Sequence, residues 1–440
     1  MKWPVVKITF LFLMLAFQSV WAESTPPLTL QSAIDEALQN SPQVQKAKSA
    51  SAESTWKKVE SFSTFLPTLQ FEVDYLTLHK YAFLDVNLGG GTASFPQVIP
   101  SSIYELNAKL PLFDGFAGTN RFKAARAFES AEELNYKWAQ FRISREVALL
   151  YYKALGSKIL RQVAEQNVKT LQDHLNDVRQ FRKAGASTKF DVLRVEVQVS
   201  ESQSDLLNAQ DNVILSQNRL AETLGREADD RTPTGDLPVL KSEISQQARV
   251  DATASRADLA ALQNRVRGLE HLDRADNRFW SPKLALFGQY QQYNNRNDRF
   301  DDWANYREAY NVGLNFTWNI FDGFSTVARA HESNEQKYQA DRQLRIAEIH
   351  SKQEFDLWRR KFLYFCSVYQ SRVSDVAKSE ESVRLAKEGR RVGARTNTDL
   401  LDAESELFRA RAGQVNAQVG SIEALINLEL TTGQKLYDYR

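Results

Sequence analysis

This chain contains the same half-protein twice. The segment Gly185-Ala-Ser-Thr188-Lys-Phe-Asp191-Val-Leu193 returns as Gly393-Ala-Arg-Thr396-Asn-Thr-Asp399-Leu-Leu401, 208 positions later. Leu112-Phe-Asp-Gly-Phe116 returns at the same spacing as Ile320-Phe-Asp-Gly-Phe324, and Gly225 returns as Gly433. Upstream the spacing is 215, carried by Pro67 and Pro282, so the two halves differ in length between their strand patterns, where hairpin connections vary most. A period this long is not that of a solenoid, whose units recur every few tens of residues. Any fold built from this chain therefore has pseudo-twofold character.

Each half predicts the same order of elements: helix, strand, loop, strand, very long helix, tight turn, long helix. In the first half Leu69, Phe71, Val73 and Tyr75 alternate with Thr68, Gln70, Glu72 and Asp74, the period of a strand with one apolar and one polar face. Tyr104, Leu106, Ala108, Leu110 and Leu112 alternate in the same way with Glu105, Asn107 and Lys109. The connector between them, with Gly89-Gly90-Gly91 and Pro96, has the composition of an exposed loop. The second half repeats the device around Leu284, Leu286 and Tyr290, then along Tyr310, Val312, Leu314, Phe316, Trp318 and Ile320, with the polar loop 294–298 between. The strands are expected near 68–78, 103–113, 282–293 and 309–320. Such alternation suits either a transmembrane β-strand or a soluble sheet with one wet face.

The rest of the chain offers nothing free to cover an apolar sheet face. From about 116 to 183 and from 324 to 391 glycine is scarce and proline absent. Each run, if helical, spans on the order of 100 Å. The return helices carry narrow seams at 3-4 spacing: Val192, Val195, Val199, Leu206, Ala209, Val213 and Leu220 in one half, Leu400, Ala403, Leu407, Ala410, Ala417, Ala424 and Leu428 in the other. Pro233, Gly235 and Pro238 mark the link between halves. If the four strands cross a membrane, their edges must be closed, because an unpaired backbone group in hydrocarbon costs several kcal/mol. The smallest barrels use about eight strands, so several chains would have to share one barrel.

The N-terminus has the pattern of a secretory signal over residues 1–22: Lys2 and Lys7, an apolar run from Ile8 to Phe17, then Val20-Trp21-Ala22. Its removal takes the formal charge from +1 to −1, which implies neither nucleic acid nor an anionic surface as partner. Both methionines, Met1 and Met14, fall inside the signal, and Cys366 is the only cysteine. The expected organisation is a first repeat over 23–228 (helix, hairpin, long helix pair), a linker over 229–250 and a second repeat over 251–440.

The element order, the paired Phe-Asp-Gly-Phe turns, the opening Leu28-Thr-Leu30 with Ala33 and Ala37-Leu38, and above all the paired Gly-x-x-Thr-x-x-Asp turns resemble the TolC-like outer-membrane efflux factors. The resemblance covers essentially the whole chain after the signal. It implies a mixed α+β membrane protein with duplicated halves: a homotrimer with a 12-stranded outer-membrane β-barrel, four strands per chain, continuing into a long periplasmic coiled-coil tunnel with a gated tip. It further implies an exit duct of a tripartite efflux pump or type I secretion system, with a periplasmic adaptor, an inner-membrane pump or secretion ATPase and outer-membrane lipid as partners. No cofactor, metal or nucleic acid is expected.

By the same resemblance, Asp399 and Asp402 would form acidic rings at the periplasmic constriction, and Arg395 would help hold it closed. A tyrosine partner common in the family is not evident beside Arg395; Arg390 and Arg391 precede Val392-Gly393 instead. The turns Gly185, Ser187, Thr188, Asp191 and Gly393, Ala394, Thr396 would meet the adaptor. Asp114, Gly115, Asp322 and Gly323 form the strand-to-helix turns. Local chemistry offers plainer roles as well: Thr188 with Asp191 and Thr396 with Asp399 have capping-box spacing, and the two glycines suit helix C-caps. Glu72, Asp74, Glu105 and Lys109 would face a lumen, and Phe279, Trp280, Tyr290, Tyr293, Tyr310 and Trp318 are candidate interfacial aromatics.

Other functions have less support. His79, His174, His271, His331 and His350 are scattered, with no nucleophile elbow or phosphate loop, so nothing points to an enzyme. A periplasmic coiled-coil scaffold or adaptor without a barrel would need no detergent. The lack of methionine after the signal argues against a thioether path for soft metals, though not against metal cargo in general.

Overall fold

The computed structural model describes residues 28–439 apart from 78–81, 88, 98–99, 230, 252–255, 279, 295–300 and 302. The expected signal, His79, Phe279 and most of the polar loop 294–298 lie outside the described residues. After α1 (Leu30–Asn40) and α2 (Pro42–Phe62) come β1 (Thr68–Tyr75), β2 (Ala82–Asn87), β3 (Thr92–Gln97) and β4 (Ser102–Phe113). Two long helices follow, α3 (Ala117–Lys183) and α4 (Lys189–Leu224). The second half runs through α5 (Ala257–Asp276), β5 (Lys283–Asn294), β6 (Arg307–Thr317), α6 (Ser325–Arg391) and α7 (Asn397–Thr432). The helices repeat in strict register: α3 and α6 have 67 residues each and α4 and α7 have 36 each.

The four long strands form one antiparallel sheet in the order β1-β4-β5-β6. Its register sorts side chains by face across all four strands. One face carries rows such as Gln70–Asn107–Gln289–Asn311 and Glu72–Glu105–Gln291–Ala309, and the other carries Phe71–Leu106–Tyr290–Tyr310 and Leu69–Ala108–Gly288–Val312. The apolar face is uncovered: Phe71, Val312 and Phe316 are 67%, 76% and 64% exposed. The edge strands β1 and β6 lie open along nearly their whole length.

Two expectations need correction. The connector read as a loop contains a second antiparallel hairpin, β2 with β3, paired from Ala82 opposite Gln97 to Asn87 opposite Thr92. Pro96 is accommodated there because in a two-stranded ribbon each strand is an edge, where a missing N–H is tolerated. The last strand also stops short of 320. Its final residue, Thr317, faces Lys283, the first residue of β5, so Trp318 to Ile320 have no partner strand beyond Pro282. Trp318 instead donates its indole N–H to the carbonyl of Trp280 at 3.0 Å.

The Phe-Asp-Gly-Phe motif turns each strand into its helix. Gly115 and Gly323 have φ of 72° and 69°, and the following Phe116 and Phe324 are also left-handed, at 65° and 68°. Such a conformation costs a non-glycine residue about 1–2 kcal/mol. Edge-to-face packing of Phe116 on Phe113 and of Phe324 on Phe321 offsets it, with ring centroids 5.5 and 5.4 Å apart. The aspartates satisfy the exposed helix starts: Asp114 accepts from the Gly118 N–H at 2.5 Å and Asp322 from the Thr326 N–H at 3.1 Å. The two turns are not equivalent, since a Cβ on Gly115 would stand 2.3 Å from the Cβ of Ser281 whereas one on Gly323 meets nothing within 4 Å. Gly115→Ala is therefore expected to destabilise the protein by about 2 kcal/mol or more, and Gly323→Ala by only about 1 kcal/mol of backbone strain. Thermal unfolding of the two variants side by side checks this.

The main core sits midway along the long helices. Ile143, Val147, Tyr151 and Leu155 of α3 pack with Ala33 and Ala37 of α1, Leu220 and Leu224 of α4, Phe362 and Cys366 of α6 and Ile422, Leu425 and Ile426 of α7. Burial pushes the Cys366 thiol up to about 11, which leaves it an unreactive packing group. The small seam residues of α7 are buried, Ala417 and Ala424 at 3% and 0% exposure, and let the helices approach closely.

Candidate functional site

The gate and adaptor-turn candidates from the sequence gather at the end of the helices remote from the sheet, where α3 turns into α4 and α6 into α7, while Asp114, Gly115, Asp322 and Gly323 stay at the strand-to-helix turns. The turns are built alike. Gly185 and Gly393 both take φ of 77°, in open space, so the left-handed C-cap rather than crowding demands glycine. Thr188 and Thr396 then cap the return helices. Each hydroxyl accepts the N–H of the aspartate three residues on at 3.1 Å, and each aspartate accepts the threonine N–H in return, at 2.9 Å for Asp191 and 2.8 Å for Asp399.

Asp191 and Asp399 thus both complete capping boxes, and the threonine N–H bonds hold both carboxyls below the usual aspartate range. A lowered native value means that each cap contributes fully above about pH 4 and loses its contribution as pH falls through that value. Ser187 reinforces the first cap by donating to Asp191 at 3.1 Å. Ala394 is exposed and closes its turn with its backbone N–H, 2.8 Å from the Gly389 carbonyl. Asp402 is exposed one turn further along α7.

Arg395 is also exposed. Its backbone N–H donates to the Gly389 carbonyl at 3.2 Å and its stem lies over Gly389; among the described residues its guanidinium makes no hydrogen bond or close ion pair, but its charge helps hold the Asp399 carboxyl low. The preceding Arg390 behaves differently, stacking over Phe181 at 5.0 Å across to α3, where burial lowers its pKa despite Asp177, Glu404 and Asp191 nearby.

One network was not foreseen. His174 on α3 is buried and lies between two hydrogen-bond partners of α7, Glu404 at 2.8 Å from Nδ1 and the Asn397 side-chain amide at 2.6 Å from Nε2. It ties one helical hairpin to the other beside a cavity of about 780 Å³ lined by Asp173, Asp177, Lys387, Arg390 and Arg391. A single histidine among five gives no sequence signal of this. Its partners lie 223 and 230 residues away.

At the other end, Glu72, Asp74, Glu105 and Lys109 share the polar face of the sheet, while Tyr290 and Tyr310 stand on the apolar face toward the loop end. Tyr293 faces the polar side, opposite Ile103 and Arg307, and so is not an interfacial candidate. No described helix is long and apolar enough to cross a membrane.

The model of the family described as "Outer membrane efflux protein" matches residues 33–226 and 248–434, once in each half. The chain belongs to that family. As an outer membrane efflux protein it is 23% identical over 328 residues, 74% of this chain and 71% of the relative, to the outer membrane efflux protein BepC of Brucella suis biovar 1 (strain 1330). It is 21% identical over 308 residues, 66% of this chain and 64% of the relative, to the proteases secretion protein PrtF of Dickeya chrysanthemi. Its fold is similar to that of the outer membrane protein VceC of Vibrio cholerae, with a TM-score of 0.76 over 93% of this chain and 97% of that one at 16% identity.

Proposed function

We infer that three copies of this chain form an outer-membrane exit duct, passing cargo from an inner-membrane pump or secretion ATPase and a periplasmic adaptor to the outside. The observation that carries this reading is the four-stranded sheet, with one uncovered apolar face and two open edges. In water such a face is an aggregation hazard, and in hydrocarbon such edges are prohibitive unless closed. Three sheets joined edge to edge give a 12-stranded barrel with no edge, the apolar face on lipid and the polar face on the lumen. Helices on the order of 100 Å long then extend the cylinder through the periplasm. The relatives include one named for efflux and one named for protease secretion, the two kinds of system to which such a duct belongs.

In this assembly the turns at Gly185 and Gly393 are the periplasmic end and meet the adaptor. Asp399 and Asp402 ring the constriction, and Arg395 reaches a neighbouring helix pair. Rings of carboxylates attract and retain cations.

The test is purification in detergent, crosslinking, and recording in planar bilayers. The parent should run as a trimer and conduct. Asp399→Ala with Asp402→Ala should assemble normally but change unitary conductance and need about tenfold more of a multivalent cation such as hexamminecobalt(III) for block. A monodisperse monomer that needs no detergent would defeat the duct reading. Unchanged block would reduce both acids to helix-start residues.

A further inference from the structure

A second charged zone lies far from the tip, where the sheet meets the helices. A cavity of about 640 Å³ opens there, lined by the polar-face strand residues Lys109, Pro111, Ala285, Asn315 and Thr317 and by the first turns of α3 and α6. Five basic side chains enter it: Lys109, Arg121, Arg278, Lys283 and Arg329. Arg121 and Arg329 are the same position of the two repeats, 208 residues apart, each the fifth residue of its long helix. Among the described residues only two carboxylates line the same space. Asp114 is engaged by the Gly118 N–H, and Asp276 lies 3.8 Å from Arg121. Among the described residues Lys109, Arg278, Lys283 and Arg329 have no carboxylate partner within 4.0 Å, and all four are exposed.

Like charges gathered without counter-charges repel one another and weaken the fold. Along the axis the collar separates two acidic zones: Glu72, Asp74 and Glu105 toward the loop end of the sheet, and Asp399 and Asp402 at the tip. We propose that this collar, repeated three times around the lumen, is a binding station for anionic groups, carboxylate, sulfate or phosphate, on cargo passing through the duct. Five bases against two acids leave a surplus of three positive charges per chain, nine around a trimer. Arginine pairs offer bidentate donors to such oxyanions, and lysines on the wall add point charges. The acidic zones on either side make the collar the local minimum for an anion and a barrier for a cation. This rests on the duct reading, which places the polar face of the sheet on the lumen.

The experiment uses the full-length trimer in planar bilayers of neutral phosphatidylcholine, so that no anionic lipid competes, with inorganic tripolyphosphate as the probe. Tripolyphosphate should reduce the open current of the parent. Arg121→Gln with Arg329→Gln, at exposed helix positions where glutamine keeps the helix, should require about tenfold more and shift the reversal potential toward cations. Arg278→Gln, on the turn after α5, should raise the requirement roughly threefold and serves if the double variant fails to assemble. Equal block and equal reversal potential in parent and variants would overturn the collar while leaving the duct intact. A parent that forms no conducting trimer would instead remove the duct reading beneath it.

Discussion

Arg145→Ala is expected to be the most damaging single substitution in the periplasmic body. Arg145 on α3 is buried and donates to the fully buried Glu429 of α7 at 2.8 Å, with side-chain exposures of 9% and 0%. The other carboxylate oxygen of Glu429 accepts the backbone N–H groups of Leu436 and Tyr437 at 2.7 and 3.0 Å, which latches the C-terminal segment. The guanidinium also lies over the rings of Phe141 and Tyr439 at 5.5 and 5.8 Å. Removing it leaves a buried carboxylate without a counter-charge, a loss of about 3–5 kcal/mol. Denaturant unfolding should show this, and trypsin should cut the variant faster after Lys435. Burial already pushes the Glu429 carboxyl up, and loss of the arginine pushes it further. A raised native value stabilises at low pH and is lost as pH rises, so the deficit should shrink as pH is lowered toward about 4.3 and widen toward neutrality. Arg145→Met combined with Glu429→Gln should be milder than Arg145→Ala alone, because no charge is left buried. A deficit under 1 kcal/mol at pH 7 would show that the pair is dispensable.

Arg395→Ala is expected to leave the folded chain intact and to loosen the closed duct. Each chain presents an exposed guanidinium with no close ion-pair partner among the described residues beyond the charge of Asp399, at the turn that the proposed duct places at its constriction. A solvent-screened contact to the next helix pair is worth about 0.5–1 kcal/mol. Three copies give roughly a ten- to hundredfold rise in the open fraction when it is lost. Cells carrying Arg395→Ala should admit large antibiotics at unchanged protein level, with Arg395→Lys intermediate because lysine lacks the bidentate fork. Arg390 is engaged with Phe181 and is not free to substitute. Unchanged permeability and conductance would make Arg395 a solvated turn residue.

What the sequence determined by itself is whatever depends on neighbours within a few residues. The repeat spacing located α3 and α6, and α4 and α7, because helix ends follow from local signals: Gly185, Gly393, Gly225 and Gly433 in left-handed caps, and Thr188 and Thr396 at the starts. Strand alternation likewise assigned Glu72, Glu105 and Lys109 to one face, since side chains alternate whatever the strand pairs with. The tertiary structure alone decided what joins the halves. His174 with Glu404 and Asn397, and Arg145 with Glu429, each connect α3 to α7 across more than two hundred residues, and their meeting depends on the rotation and axial setting of helices that no local spacing encodes. The same holds for the end of β6, which stops where its partner does, and for the basic collar. Its five members come from strands, a turn and two helix starts in both repeats, and become one feature only when the sheet is set on the helices.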